Sequence, residues 1–260
     1  MQHREKWWKV VTTAILAAAL SLSAMAQDPK YTPAEAAALL SPSVFSFGTT
    51  RGTFCTATKI APKQYLTALH CAQDLATNWR LESVDGEYAF IRSVLASVGE
   101  KTGGGKHRED WAILMATSEN DAPSLPLGCG DPHYVGEPVA YMGFPESLER
   151  AFGVGYISTM QPGERNNADI FVDLPVAPGA SGSAIISLDN GHILGVLTEG
   201  VLSRRTREFY MVGVESIESV DQCEDWKGVM KQWETILDDP FFIPGAEPDR
   251  IQAPDVVDYT

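Results

Sequence analysis

An all-β architecture, sandwich or barrel, is predicted by the pattern between Val44 and about Val214. Short apolar runs rich in β-branched and aromatic residues recur there, and Gly, Pro, Asn and Asp break them. No long stretch of helical periodicity separates these runs. Asp189-Asn190-Gly191 stands between two of them, a combination that favours the left-handed backbone of a tight hairpin.

Each element follows from local chemistry. Thr32-Pro33-Ala34-Glu35 is a capping box with proline at the first helical position, so a short helix should run to about Leu40 and stop before Pro42. Strands are expected at Val44–Phe47, Phe54–Ile60, Tyr65–Ala68, Tyr88–Val94, Trp111–Ala116, Pro138–Met142, Gly155–Thr159, Ile170–Leu174, Ala184–Leu188 and Ile193–Thr198. Residues 100–110 carry Gly103-Gly104-Gly105 among charges and read as a surface loop. From Cys223 to Leu237 the period changes. Trp226, Val229, Met230, Trp233 and Leu237 recur at helical spacing, which predicts a C-terminal helix with one apolar face. Residues 238–260 are acidic and contain Pro240, Pro244, Pro248 and Pro254, the composition of an extended tail, with Phe241-Phe242-Ile243 expected to dock on the protein's own surface. No internal repeat is visible at the residue level.

The chain has 260 residues, 44% of them hydrophobic and 21% charged, which is an ordinary globular balance. A formal net charge of −14 opposes binding to a polyanion, so nucleic acid is not an expected partner. Residues 1–26 read as a secretory signal. Arg4, Lys6 and Lys9 form a basic start, Val10 to Leu22 an apolar stretch, and Ala24-Met25-Ala26 a small-x-small cleavage site before Gln27. Residues 27–237 then form the main domain, and no stable membrane anchor is expected once the signal is cut. The protein should be secreted or periplasmic, where its four cysteines can form two disulfides. Three connectivities are possible. Cys55 and Cys71 flank a strand-turn-strand stretch and are expected to pair, which leaves Cys129 with Cys223 by default.

Three segments carry the chemistry: Thr67-Ala68-Leu69-His70-Cys71, Asp110-Trp111-Ala112-Ile113-Leu114 and Pro178-Gly179-Ala180-Ser181-Gly182-Ser183. A serine hydroxyl is a poor nucleophile at neutral pH. It needs a base within hydrogen-bond reach, and that base needs a third group to fix its tautomer and stabilise its cation. Ser181, His70 and Asp110 are those residue types. A developing oxyanion also needs preorganised donors. Gly179 permits a tight turn that would aim the Gly179 and Ser181 N–H groups at one point. The elbow of lipase-type hydrolases does not fit, because Ser183 stands where its last glycine belongs and the order of the three residues differs. No His/Cys/Asp cluster has metal-ligand spacing, so neither a metal nor a cofactor is expected. His107 and His133 read as surface residues and His192 as a strand-end residue.

Together the segments resemble the chymotrypsin-like (trypsin-like) serine proteases, over roughly Val44 to Gly200. The likeness is greatest to the bacterial branch that includes protease Do and the glutamyl endopeptidases. Thr67-Ala-Leu-His-Cys71 is similar to that family's T-A-x-H-C, Asp110-Trp-Ala-Ile-Leu to its D-x-A-[LIV]-L, and Pro178 to Ser183 to its P-G-x-S-G-[GS]. Cys55 with Cys71 matches its histidine-loop disulfide. Gly136 to Pro145, followed by Gly155-Tyr-Ile-Ser158, resembles the protease Do stretch that leads to the nucleophile. The resemblance implies two packed six-stranded β-barrels, with His70 and Asp110 on the first and Ser181 on the second. It implies a polypeptide substrate, a Ser-His-Asp triad and an oxyanion hole made by Gly179 and Ser181.

The departures bear on specificity and activation. The residue before the serine is Ala180, so a new N-terminus has no carboxylate to bind there. Trypsin-like members carry an aspartate at the pocket base where this chain has Pro175. Glutamyl endopeptidases carry a pocket histidine at a position that corresponds to Leu197. A small or medium apolar residue on the acyl side of the scissile bond is therefore expected. Thr198, Glu199 and Gly200 should form the edge that pairs with substrate backbone. The expected function is that of an exported serine endopeptidase. The acidic tail also fits a different class, a protease-fold binding or adhesion protein whose site is inactive or covered.

Overall fold

The fold starts with the capping box. Thr32 N–H donates to Glu35 Oε2 at 2.8 Å, and Glu35 N–H donates to Thr32 Oγ1 at 3.3 Å. These reciprocal bonds satisfy donors that the first helical turn leaves free. Helix α1 spans Pro33–Leu40 and buries Ala36 and Leu40. Its start is tied to a later hairpin by Tyr31 N–H to Leu188 O at 2.9 Å, and the turn after it by Arg150 Nη1 to Ser41 O at 2.6 Å.

The computed structural model describes residues 28–49, 52–72, 79–86, 88–96, 110–147, 149–160, 170–202 and 209–216. The expected signal segment, the loop at 100–109, Cys223, the C-terminal helix and the acidic tail lie outside them. Among the described residues no helix is long and apolar enough to cross a membrane.

The strands are β1 (Val44–Thr49), β2 (Gly52–Ala61), β3 (Gln64–Ala68), β4 (Trp79–Glu82), β5 (Tyr88–Ala96), β6 (Trp111–Ala116), β7 (Pro138–Gly143), β8 (Ala151–Met160), β9 (Ile170–Asp173), β10 (Ala184–Ser187), β11 (Ile193–Leu202) and β12 (Phe209–Ser216). They close into two barrels, ordered β1-β2-β3-β6-β5-β4 and β7-β8-β9-β12-β11-β10. The second order is the first with every strand number raised by six, so one topology is used twice without a visible sequence repeat. The two six-stranded barrels that the resemblance implied are present.

Strands β4 and β12 were not among the expected strands. In β4, Trp79-Arg80-Leu81-Glu82 alternates over four residues only and fully buries Leu81 alone. That is too short for periodicity to register. In β12, Gly213 and Glu215 interrupt the apolar run.

Alternation along the second barrel's strands builds two cores at once, because successive side chains point to opposite faces. Val139 and Tyr141 of β7 and Ile185 of β10 enter the interior of the second barrel. Ala140, Met142, Ala184 and Ile186 turn the other way and join the core that fills the first barrel. The interface between barrels is therefore continuous with the first core. The Asp189-Asn190-Gly191 turn joins β10 to β11 as expected, closed by Gly191 N–H to Ser187 O at 2.9 Å.

Strand β2 adds polar fastening. Lys59 is buried, and its ammonium donates to Asn120 O at 2.6 Å, Asn120 Oδ1 at 3.0 Å and Ala122 O at 2.8 Å. Burial pulls its pKa below the usual lysine value, and three acceptors offset that desolvation while fixing the connector after β6. Cys55 and Cys71 form a disulfide across a sequence separation of 16. Cys129 is also disulfide-bonded, and its expected partner Cys223 lies outside the described residues.

Replacing Cys55 and Cys71 together by serine removes a constraint on the unfolded chain. It is expected to lower the unfolding free energy by about 3 kcal/mol in the loop-closure account. Chemical denaturation reads this directly, and an unchanged midpoint would contradict it.

Candidate functional site

His70 and Asp110 meet because β3 and β6 pair antiparallel with Ala68 opposite Trp111. One step beyond that register lie Leu69 and Asp110, and Leu69 N–H donates to Asp110 O at 3.1 Å. His70 follows in the four-residue helix α2 (Leu69–Ala72). Asp110 grips it twice. His70 N–H donates to Oδ1 at 2.8 Å, and His70 Nδ1 lies 2.7 Å from Oδ2. The aspartate side chain is only 9% exposed, against 41% for the histidine. The buried carboxylate thus fixes the ring and favours a proton on Nδ1.

The segment 178–183 follows β9 and leads into β10. Gly179 and Gly182 both have positive φ, +98° and +85°. Gly182 also has no room for a side chain, since a Cβ there would stand 2.2 Å from Thr56 O and 3.0 Å from Ala68 N. Ala68 is two residues before His70, so this close approach brings the Ser181 turn beside the histidine. Cys55, His70 and Cys71 present their sulfur and nitrogen atoms within 4.8 Å of one another. Both sulfurs are spent in the disulfide, so they are not thiolates able to bind a metal.

The carbonyls of this turn are held from several directions. Pro178 O accepts from Glu146 N–H, and Ala180 O accepts from Ser183 N–H at 3.0 Å. In a trans peptide the N–H points opposite to the C=O. Anchoring those two carbonyls therefore turns the N–H groups of Gly179 and Ser181 the other way. Among the described residues neither N–H has a hydrogen-bond acceptor within the protein. Glu146 reaches Pro178 with φ +51°, an uncommon backbone region for a residue other than glycine. Leu197 completes the frame from β11, with Gly182 N–H to Leu197 O at 2.8 Å and Leu197 N–H to Ser183 O at 2.9 Å.

The other expected site residues are spread around this turn. Pro175 is exposed, and its carbonyl accepts from the buried Tyr141 hydroxyl at 2.7 Å. The Leu197 side chain is buried in the second core. Thr198 is buried with its hydroxyl 3.3 Å from Gly213 O, while Glu199 is half-buried and Gly200 exposed. His192 stands just before β11 and bonds Asp131 at 2.8 Å. His133 departs from the surface position expected of it. Its side chain is 3% exposed and lies 3.1 Å from the equally buried Glu137 carboxylate. That partner four residues on makes its burial tolerable.

Sequence reading missed Thr56 and Glu146. Thr56 follows a cysteine in an ordinary strand, and the backbone angle of Glu146 has no signature in residue type.

Comparison with known proteins identifies the family and the fold. The family profile described as trypsin-like peptidase domain matches residues 52–196. Over 99 residues the chain is 32% identical to serine protease HTRA4 of Mus musculus, an alignment covering 35% of this chain. The chain thus spans a fifth of that protein's length, 20%. Rv3671c of M. tuberculosis H37Rv, solved in an inactive form, superposes with a TM-score of 0.56 at 18% identity, over 76% of this chain and 90% of that one. The HtrA-type protease AlgW, solved with a tripeptide, gives 0.58 at 20% identity, over 80% and 64%. At these identities the two solved structures speak for the fold.

Substituting Gly182→Ala should force the Ser181 turn away from Thr56, with overpacking alone costing roughly 1–3 kcal/mol. A lower denaturation midpoint is the expected reading, and a wild-type midpoint would contradict the close approach.

Proposed function

The chain belongs to the trypsin-like peptidase family, and on that premise we propose that it is an exported serine endopeptidase acting through Ser181, His70 and Asp110. The observation that carries this is the doubly hydrogen-bonded His70–Asp110 pair, set beside a serine turn with two unengaged N–H groups.

The chemistry follows from those positions. Ser181 Oγ attacks the scissile carbonyl carbon while its proton passes to His70 Nε2. Asp110 stabilises the resulting imidazolium through Nδ1–H. The carbonyl electrons move to oxygen, and Gly179 and Ser181 N–H receive that charge. His70 returns the proton to the leaving amine, which departs and leaves an acyl-enzyme. Water then attacks by the same route, releasing the acid and restoring Ser181. Export is supported by the signal-like residues 1–26 and by the disulfide. A polypeptide substrate is supported by the family and by the tripeptide carried by AlgW.

Peptide hydrolysis tests the assignment. Ser181→Ala and His70→Ala are each expected to lower kcat by ~10⁴-fold or more, and near-normal turnover in either would overturn it. The acyl-side preference is tested separately with chromogenic peptides differing at that residue. Pro175 and Leu197 supply no charge or imidazole at the two positions where charged substrates would be read, so Ala, Val or Leu should be favoured. A clear preference for Arg would contradict this.

A further inference from the structure

Thr56 is fully buried on β2 of the first barrel, yet its polar atoms all engage, two of them through three hydrogen bonds to the second barrel's side of the site. Its N–H donates to Ser181 O at 2.8 Å. Its hydroxyl donates to Gly179 O at 3.0 Å and accepts from Phe144 N–H at 3.0 Å. Its carbonyl accepts from the Thr67 hydroxyl at 2.7 Å, three residues before His70. Its chain neighbour Cys55 is bonded to Cys71, the neighbour of His70.

From these contacts we propose that Thr56 is a positioning residue for catalysis, its hydroxyl holding the Gly179–Ala180 peptide so that the oxyanion-binding donors stay aimed. This inference rests on the serine endopeptidase reading above. Gly179 has φ +98° and no side chain to resist rotation, so its direction depends on what its flanking peptides bond to. The preceding peptide is held by Glu146 at Pro178 O, and the following one at both ends, by the Thr56 hydroxyl at Gly179 O and by Ala180 N–H to Ala177 O at 3.1 Å. Removing the hydroxyl frees the second anchor and leaves Gly179 O and Phe144 N–H without that partner. Phe144 lies two residues before Glu146, so losing both bonds loosens the anchors on either side of Gly179, and its N–H can then swing from the point where the oxyanion forms. The ground-state substrate makes little use of that donor, so the loss falls on the transition state and lowers kcat rather than raising KM.

The test compares wild type, Thr56→Val, Thr56→Ser and Ser181→Ala on one chromogenic peptide, with a thermal melt for each. Valine keeps the shape and removes the hydroxyl. We expect kcat to fall roughly 10- to 100-fold with KM within about twofold, a share of the loss caused by removing an oxyanion donor outright. Serine keeps the hydroxyl and should hold kcat within about threefold of wild type. Should the valine chain fail to fold, Thr56→Ala removes the same hydroxyl with less bulk and is read the same way. The proposal is overturned if a folded hydroxyl-free variant turns over at the wild-type rate. It is equally overturned if serine fails to rescue, or if the loss appears in KM alone. Failure of the underlying reading looks different: Ser181→Ala would then match wild type, and the inference would fall with it.

Discussion

Strand β2 is the constraint on which the rest of this structure depends. It has no solvent face at its centre: Cys55, Thr56, Ala57, Thr58 and Lys59 are all buried. Cys55 and Ala57 belong to the core of the first barrel. Thr56 and Thr58 reach the second barrel, the former at Ser181 O and Gly179 O, the latter accepting from Ala184 N–H at 3.3 Å. A strand buried on both faces normally reads as apolar throughout. Here threonines serve, because the outer face meets backbone and must satisfy it.

The site uses two different kinds of rigidity. The His70–Asp110 pair is placed by strand register, since the β3–β6 pairing leaves the two segments adjacent where the ladder ends. A slip by one residue would turn the whole set of side chains to the wrong face. The Ser181 turn has no such ladder. It is assembled from separate hydrogen bonds contributed by β2, β11 and the Glu146 segment, around glycines whose backbone could otherwise take many forms. The His70–Asp110 pair is held by secondary structure and the Ser181 turn by tertiary contacts.

The candidate site residues were legible because each chemical role leaves a local mark. A serine between glycines, a histidine at the end of a β-run beside a cysteine, and an aspartate before an apolar strand are each readable within a few positions. Ten of the strands were legible from short apolar runs, and β4 and β12 were not, for want of length in one and of continuity in the other. The two six-stranded barrels were legible through the family resemblance and not through any internal repeat, because strand order depends on pairing between distant segments, which residue-level similarity does not encode. His133 lies buried where a surface position was expected because its hydrogen-bond partner, Glu137, becomes one only when the loop folds back. Thr56 illustrates the same limit, since its contacts at Gly179 and Ser181 lie more than a hundred positions away in sequence.

The central claim is that Ser181 is a nucleophile activated by His70. The most direct test is to treat folded, disulfide-intact protein with a fluorophosphonate, measure the intact mass, and map the modified peptide, with His70→Ala as control. A single adduct on Ser181 that disappears in the control is the predicted result. No adduct, or one on another residue that persists without His70, would contradict the account.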